Sequence, residues 1–397
     1  SEDFKTEIPK IISNLDNSYI YIQGPPGTGK TYQASNAIIQ LLKQNKKIGI
    51  TGLSHKVIHN LLQRIEDMAK EKQFNFDGYK RGNLEDEDTV FNGECTKTYG
   101  KDPVFMDALK EKDVGQIFAG TKYHLASTFY DQKIDYLFID EAGQISLADL
   151  ISIGNIAKNI ILIGDQNQLG QPIKGTHPNN SGQSILDYLL EGKDTIPDDR
   201  GIFLNKTYRL NSKLNKFISS NFYEERLICD ERTDKRIIKF NNKSLIKNDG
   251  IHYIEMKHKN NVQTSIEEFE VVRDLMKEMI GSEFDDNGSK KKLTVEDFLI
   301  ISPYNTQVNL LISKLEEAKI KNPRVGTIDK FQGQEAPITI ISMTSSDSDS
   351  LPRNKEFFFS RNRLNVAISR AQVASIILFN PQLLDSSPKN LDQIKLM

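Results

Sequence analysis

The sequence predicts an α/β protein of two tandem domains, each built on a parallel sheet. Three observations carry that expectation. Short apolar runs alternate with amphipathic helical patterns, which is how a parallel sheet and its crossover helices read. The alternation occurs twice, on either side of a Pro197-Asp198-Asp199-Arg200-Gly201 turn signal. The 397 residues are too many for one ordinary domain and enough for two.

In the first set, Tyr19–Ile22 is a strand that runs into a glycine-rich turn. Ala34, Ala37, Ile38, Leu41 and Leu42 then fall on one face of a helix. Lys47–Thr51 is the next strand, and Val57, Ile58, Leu61, Leu62, Ile65 and Met68 mark a second amphipathic helix. Gln116–Thr121, Tyr136–Asp140 and Asn159–Asp165 complete the set. Between about residues 66 and 115 the pattern weakens into polar residues and glycine, with an acidic run at Glu85–Asp88. This stretch reads as a partly helical insertion on the first domain. The second set has strands at Ile251–Glu255, Asp297–Ser302, Val325–Ile328, Ile338–Met343 and Ser375–Phe379. Gly281–Lys292 and Ser345–Lys355, both polar and charged, read as mobile loops. The expected domains are 1–200 and 201–397.

Composition narrows the class. Hydrophobic residues are 38% and charged residues 27%, which fits a globular enzyme and excludes a fibrous repeat or a fully disordered chain. No apolar run approaches the roughly 18–20 residues that span a bilayer, and the first residues lack a secretory layout. Two cysteines, Cys95 and Cys229, cannot build a disulfide framework, so a reducing intracellular compartment is expected. Cys95 with His124 is too sparse for a metal site, and His177 suggests no chemistry. Net charge is −2, so any polyanion partner must be met by a local positive channel.

The chemistry begins at Gly24-Pro25-Pro26-Gly27-Thr28-Gly29-Lys30-Thr31. This is G-x-x-x-x-G-K-[ST] between a strand and a helix, the context of a phosphate-binding loop. Its glycines let backbone N–H groups turn inward toward an anion, and the helix N-terminus adds positive dipole. Lys30 would neutralise β- and γ-phosphates, and Thr31 would hold Mg²⁺ through its hydroxyl. Asp140 and Glu141 end an apolar strand, and parallel strands deliver such ends to a common edge. Asp140 would hold Mg²⁺ through coordinated waters, and Glu141 would accept a proton from the attacking water.

GPPGTGKT, DEAGQ (Asp140–Gln144), GDQNQL (Gly164–Leu169), TYR (Thr207–Arg209), GTIDKFQGQE (Gly326–Glu335) and NVAISRA (Asn365–Ala371) occur in the order of superfamily 1 helicase motifs. The chain most resembles the 1B branch that contains the nonsense-mediated-decay helicase. SHKVIHNLL (Ser54–Leu62), QPIKGTHP (Gln171–Pro178) and TIPDDRGIFLNKTYR (Thr195–Arg209) resemble the helicase half of bacterial proteins that join a RecB-like nuclease to this motor. The resemblance implies two RecA-like domains with ATP and Mg²⁺ in a cleft between them. It implies 5′→3′ movement on single-stranded DNA or RNA, with a nuclease domain or protein as a further partner. Gln168 is implied to sense the γ-phosphate, and Arg209 and Arg370 to act as arginine fingers on the transition state. Tyr208 resembles the aromatic that stacks on adenine, and Glu335 the carboxylate that reads the ribose. Ser54, His55, Lys56 and Thr121 resemble first-domain strand contacts; Pro303, Tyr304 and Thr327 resemble those of the second.

The sequence also departs from the family. The adenine-contacting glutamine expected some 17 residues before the loop is Glu7 here, which leaves adenine to Tyr208 and backbone groups or marks the chain as part of a longer protein. Neither the small β-barrel that precedes the motor in relatives nor a D…E-x-K nuclease set is found. Two alternatives stay open: an ATPase that remodels or clamps a strand without unwinding, and a nucleotide-gated module that recruits a nuclease. A ring-forming AAA+ ATPase predicts a single α/β core with a helical lid, which the second α/β set disfavours.

Overall fold

The computed structural model describes residues 2–111, 113–170, 182–240, 245–347 and 360–385. The QPIKGTHP segment, His177 and most of the Ser345–Lys355 stretch lie outside the described residues. The chain divides into two compact units. The first comprises Ser1–Pro25, Gly29–Gln166 and Gly170–Leu204; the second comprises Pro26–Thr28, Asn167–Leu169 and Asn205–Met397.

The first unit is organised by an eight-stranded sheet. Its strands are β1 (Tyr19–Gln23), β2 (Lys47–Thr51), β3 (Asp77–Arg81), β4 (Thr96–Tyr99), β5 (Gln116–Ala119), β6 (Ile134–Ile139), β7 (Ala157–Gly164) and β8 (Gly201–Phe203). Their order is β4-β3-β5-β2-β6-β7-β1-β8, and every neighbouring pair is parallel. The helices are α1 (Glu2–Ser13), α2 (Lys30–Leu42), α3 (His55–Glu71), α4 (Asp102–Ala108), α5 (Lys122–Leu125), α6 (Leu147–Gly154) and α7 (Ile185–Leu190). The central strands are apolar throughout because helices cover both faces. The periodic residues of α2 and α3, from Ala34 to Leu42 and from Ile58 to Met68, are essentially inaccessible to water. Parallel strands of one sheet place all their C-terminal ends along one edge, and that edge carries the sites below.

The insertion carries the helix α4, as a partly helical stretch should, but its strands were not expected. It is not chiefly helical: β3 and β4 pair with each other, and β3 pairs with β5, so the insertion widens the parallel sheet by two strands. Their sequences, DGYKR and TKTY, are polar, and their alternate positions are nevertheless buried. Sheet pairing and burial of one face outweighed the polar composition.

The second unit holds a five-stranded parallel sheet of order β12 (Gly250–Glu255), β18 (Ala371–Phe379), β17 (Ala336–Ser342), β15 (Phe298–Ile301) and β16 (Val325–Gly326). A short pair, β9 (Lys206–Thr207) with β10 (Ile228–Cys229), and a strand β11 (Arg236–Ile238) precede it. The helices are α8 (Ser212–Phe222), α9 (Ile266–Met279), α10 (Asn305–Glu317) and α11 (Arg361–Ile368). Gly281–Lys292, expected as a loop, is a β-hairpin of β13 (Glu283–Asp286) and β14 (Ser289–Lys292), antiparallel to each other and joined to β11. Asn287 and Gly288 turn it with φ of 56° and 92°, the left-handed pair that an Asn-Gly turn supplies. No helix among the described residues is long and apolar enough to cross a membrane.

Candidate nucleotide site and strand-contact positions

In the first unit, β1 leads into the glycine-rich loop and α2 leaves it. The N–H of Gly24 donates to the Gly164 carbonyl at 2.9 Å, which fixes the start of the loop beside the end of β7. Gly29 caps α2 with φ 80°, a left-handed conformation that glycine adopts without steric cost. Lys30 Nζ donates back to the Gly24 carbonyl at 2.6 Å, so its ammonium sits over the loop. Asp140 follows β6 and is 7% exposed. Its Oδ1 accepts from the Glu141 N–H at 2.9 Å, and Glu141 takes a left-handed φ of 53°. Burial, then the Glu141 carboxylate, push the Asp140 carboxyl up to about 7, against the pull of Lys30. Two adjacent carboxylates, one buried, are costly to ionise together without added positive charge.

That cost is the observation bearing on Mg²⁺. Asp140 and Thr31 are hard oxygen donors, and Mg²⁺ uses one or two protein ligands with waters and phosphates completing its shell. Among the described residues no group of three or more His, Cys, Asp or Glu could hold a metal alone. A cation completed by phosphate oxygens fits this donor set.

The second unit includes the loop tip, Pro26–Thr28, and its own contacts define that tip. Thr207 Oγ1 donates to the Pro26 carbonyl at 2.8 Å, and the Tyr208 N–H donates to the Gly27 carbonyl at 2.8 Å. Gly27 has φ +74°, and a Cβ there would lie 2.4 Å from Arg209 Cβ, so both conformation and space require glycine. The Asn167–Leu169 turn, with Gln168 buried, is held by the Asn365 amide, which donates to the Asn167 carbonyl at 2.7 Å and to Tyr223 Oη at 2.9 Å.

Arg370 is buried and Arg209 is nearly so. The Arg209 side chain is 11% exposed and Arg370 is 2% exposed. Arg209 Nε donates to Glu335 Oε2 at 2.5 Å, and its Nη1 to the Ser369 carbonyl at 3.2 Å. Arg370 Nη1 donates to the Gln334 carbonyl at 3.2 Å. Burial pushes the Glu335 carboxyl up, but Arg209 and a hydrogen bond from Gln372 outweigh it and hold the carboxyl below its ordinary range. Glu335 thus orients Arg209 here. Tyr208 is 38% exposed, with the Arg232 guanidinium 5.4 Å from its ring centre. Arg236 Nη1 donates to the Tyr208 and Arg209 carbonyls. Arg232 and Arg236 were not legible in the sequence, where they are two basic residues of a polar stretch.

The positions expected to contact a nucleic-acid strand fall at C-terminal strand ends within each unit. Ser54 caps α3 just beyond β2, accepting from the Val57 N–H, and Lys56 is exposed beside it. Thr121 caps α5 beyond β5. In the second unit Pro303 and Tyr304 follow β15, and Thr327 follows β16. His55 is tied to Lys80 of β3, whose Nζ lies 3.0 Å from His55 Nδ1 and donates to the Thr89 carbonyl. Lys80 is wholly buried, and burial lowers its pKa to about 8. Desolvation and Lys80 hold His55 below the usual histidine range, which favours the uncharged imidazole.

Comparison with known proteins agrees with the motif order. The family described as "AAA domain" matches residues 182–382, and a second family of the same description matches residues 9–173. The chain is 29% identical over 403 residues to the DNA replication ATP-dependent helicase/nuclease dna2 of Schizosaccharomyces pombe, covering 93% of this chain and 27% of that protein. It is 26% identical over 403 residues to the DNA polymerase alpha-associated DNA helicase A of the same organism, covering 88% of this chain and 59% of that protein. The chain therefore spans about a quarter of the first relative and three-fifths of the second. Among solved structures, the arterivirus nonstructural protein 10 helicase with DNA matches at TM-score 0.48 and 15% identity, over 95% of this chain and 64% of that one. With a P-loop, an Asp-Glu strand end and the two arginines in family order, this chain belongs to the superfamily 1B helicases of the AAA-domain family.

Proposed function

We propose that this chain is an ATP-driven motor that moves 5′→3′ along single-stranded nucleic acid. The observation that carries the reading is geometric: the glycine-rich loop opens α2, Lys30 Nζ sits on the Gly24 carbonyl within it, and the buried Asp140 ends a strand of the same sheet edge. Lys30 would exchange the Gly24 carbonyl for β- and γ-phosphate oxygens. Glu141 would take the proton of a water attacking the γ-phosphorus as the bond to the leaving ADP oxygen breaks. Gln168 would orient that water, and Arg209 and Arg370 would balance charge spreading over the equatorial oxygens. Mg²⁺, when bound through Thr31 and Asp140, would neutralise phosphate charge. Tyr208 would stack on the adenine.

Ser54, His55, Lys56, Thr121, Pro303, Tyr304 and Thr327 would hold the strand through its phosphates and sugars, contacts that carry no sequence information. DNA is the preferred strand and a nuclease the preferred partner, because the S. pombe relative is named a DNA replication helicase/nuclease. Two unpaired cysteines among the described residues support a reducing intracellular setting. ATP turnover measured with single-stranded DNA, with single-stranded RNA and with no polymer tests the reading. Turnover that neither polymer stimulates would refute it. A duplex-unwinding assay alongside separates a helicase from a motor that only clamps or remodels.

A further inference from the structure

At the C-terminal ends of β2 to β5 the first unit carries an open groove of about 1130 Å³. That is room for several nucleotides, given that a drug-sized ligand fills roughly 300–1,000 Å³. His55 and Thr121 line it from the original sheet, Arg81, Leu84 and Lys101 line it from the insertion, and Tyr123 stands on α5. Tyr123 is 82% exposed, more than any other large hydrophobic side chain described, and Leu84 is 63% exposed. The Lys122 ammonium lies 5.3 Å from the Tyr123 ring centre and is itself held by Asp149 at 2.6 Å.

The insertion wall is anchored. Lys80 reaches from β3 to His55 and to the Thr89 carbonyl. The Glu66 carboxylate of α3 accepts the N–H groups of Glu94, Cys95 and Thr96, at 3.0, 3.0 and 2.7 Å. Four buried or half-buried connections of this kind fix the insertion against α3, so the groove keeps its walls without a ligand.

The charges lining the groove nearly cancel. Arg81 and Lys101 face Glu85 and Asp102, and Arg81 is already 3.5 Å from Asp102. A lining of that kind offers little counterion release, so its affinity must come from the exposed aromatic face. A nucleobase suits such a face, since base–aromatic stacking needs no particular sequence.

We propose that this groove holds a stretch of the single strand with one base stacked on Tyr123, and that β3 and β4 serve as its outer wall. The proposal rests on the motor reading above and names how the strand is gripped on the first unit.

The test uses Tyr123→Ala and Tyr123→Phe in the full chain. Binding of labelled oligothymidine, and of an abasic oligomer of equal length, is followed by fluorescence anisotropy at low and high salt. Tyr123→Ala is expected to lose about fivefold to a hundredfold on oligothymidine, the span of one base–aromatic stack, and nothing on the abasic oligomer. Tyr123→Phe keeps the ring and should bind like the parent. The ratio of parent to Ala variant should hold steady as salt rises, because a ring–base stack releases no counterions. Polymer-free ATP turnover should be unchanged in both variants. Equal affinity of parent and Ala variant, or equal losses on both oligomers, overturns the groove while leaving the motor reading standing. A parent protein that binds neither oligomer overturns both.

Discussion

Two ends of one sheet edge each bury an ionisable group, and they settle its charge in opposite ways. Near β6 and β1, Asp140 is buried beside a second carboxylate and pushed up to about 7, with Lys30 as its counterweight. Near β3, Lys80 is buried with its pKa lowered to about 8, yet its ammonium meets His55 and the Thr89 carbonyl within the fold. Lys80 is satisfied internally and ties the insertion to α3. Asp140 keeps a raised carboxyl even with Lys30 beside it. Buried groups completed from within are architecture; a buried group left short of charge marks a place for a ligand.

The largest effect should come from the ligand-facing end. Lys30→Ala should abolish ATP turnover, and hydrolysis near the parent rate in a steady-state assay would refute the phosphate assignment. Arg370→Ala should lower kcat by about a thousandfold, the low end of the arginine-finger range, while ADP affinity changes far less. Equal losses in kcat and ADP binding would mark Arg370 as a ground-state binding residue.

Asp140→Asn turns the comparison into a stability measurement. The parent carboxyl has a raised folded pKa, so its contribution to stability is lost as pH rises from about 4 to about 7. Without nucleotide or divalent cation, the variant should therefore melt higher than the parent at pH 8, and the gap should close toward pH 5. A gap independent of pH would show that Asp140 is not the strained group. The smallest effect belongs to Lys80→Met. Between about pH 8 and the usual lysine value of 10.5 the unfolded chain holds more protons than the folded one, so the parent gains stability as pH rises. Relative to the variant, it should gain about 1–2 kcal/mol in chemical denaturation between pH 8 and pH 10. A flat difference would mean that Lys80 is solvated.

The nucleotide end was legible because its constraints are local. Gly27 and Gly29 announce left-handed backbone, Lys30 and Thr31 come at fixed spacing, and Asp140 closes an uninterrupted apolar run. The opposite end was not legible. DGYKR and TKTY carry no apolar period, and Lys80, wholly buried, is the type least expected inside. The hairpin at Glu283–Lys292 was lost for the same reason, since β14 is exposed along its whole length. Asn287-Gly288 was the turn signal available there, set within a run of charged residues.

The amino-acid order alone determined the parallel α/β architecture, the phosphate loop and the identity of the acidic and guanidinium groups, because each follows from short-range spacing or periodicity. Tertiary structure alone decided that a polar insertion joins the sheet, that Glu335 holds Arg209, and that Tyr123 stands exposed over a groove. Those outcomes depend on which distant backbone offers a partner to a strand edge or a side chain, and no local pattern encodes that choice.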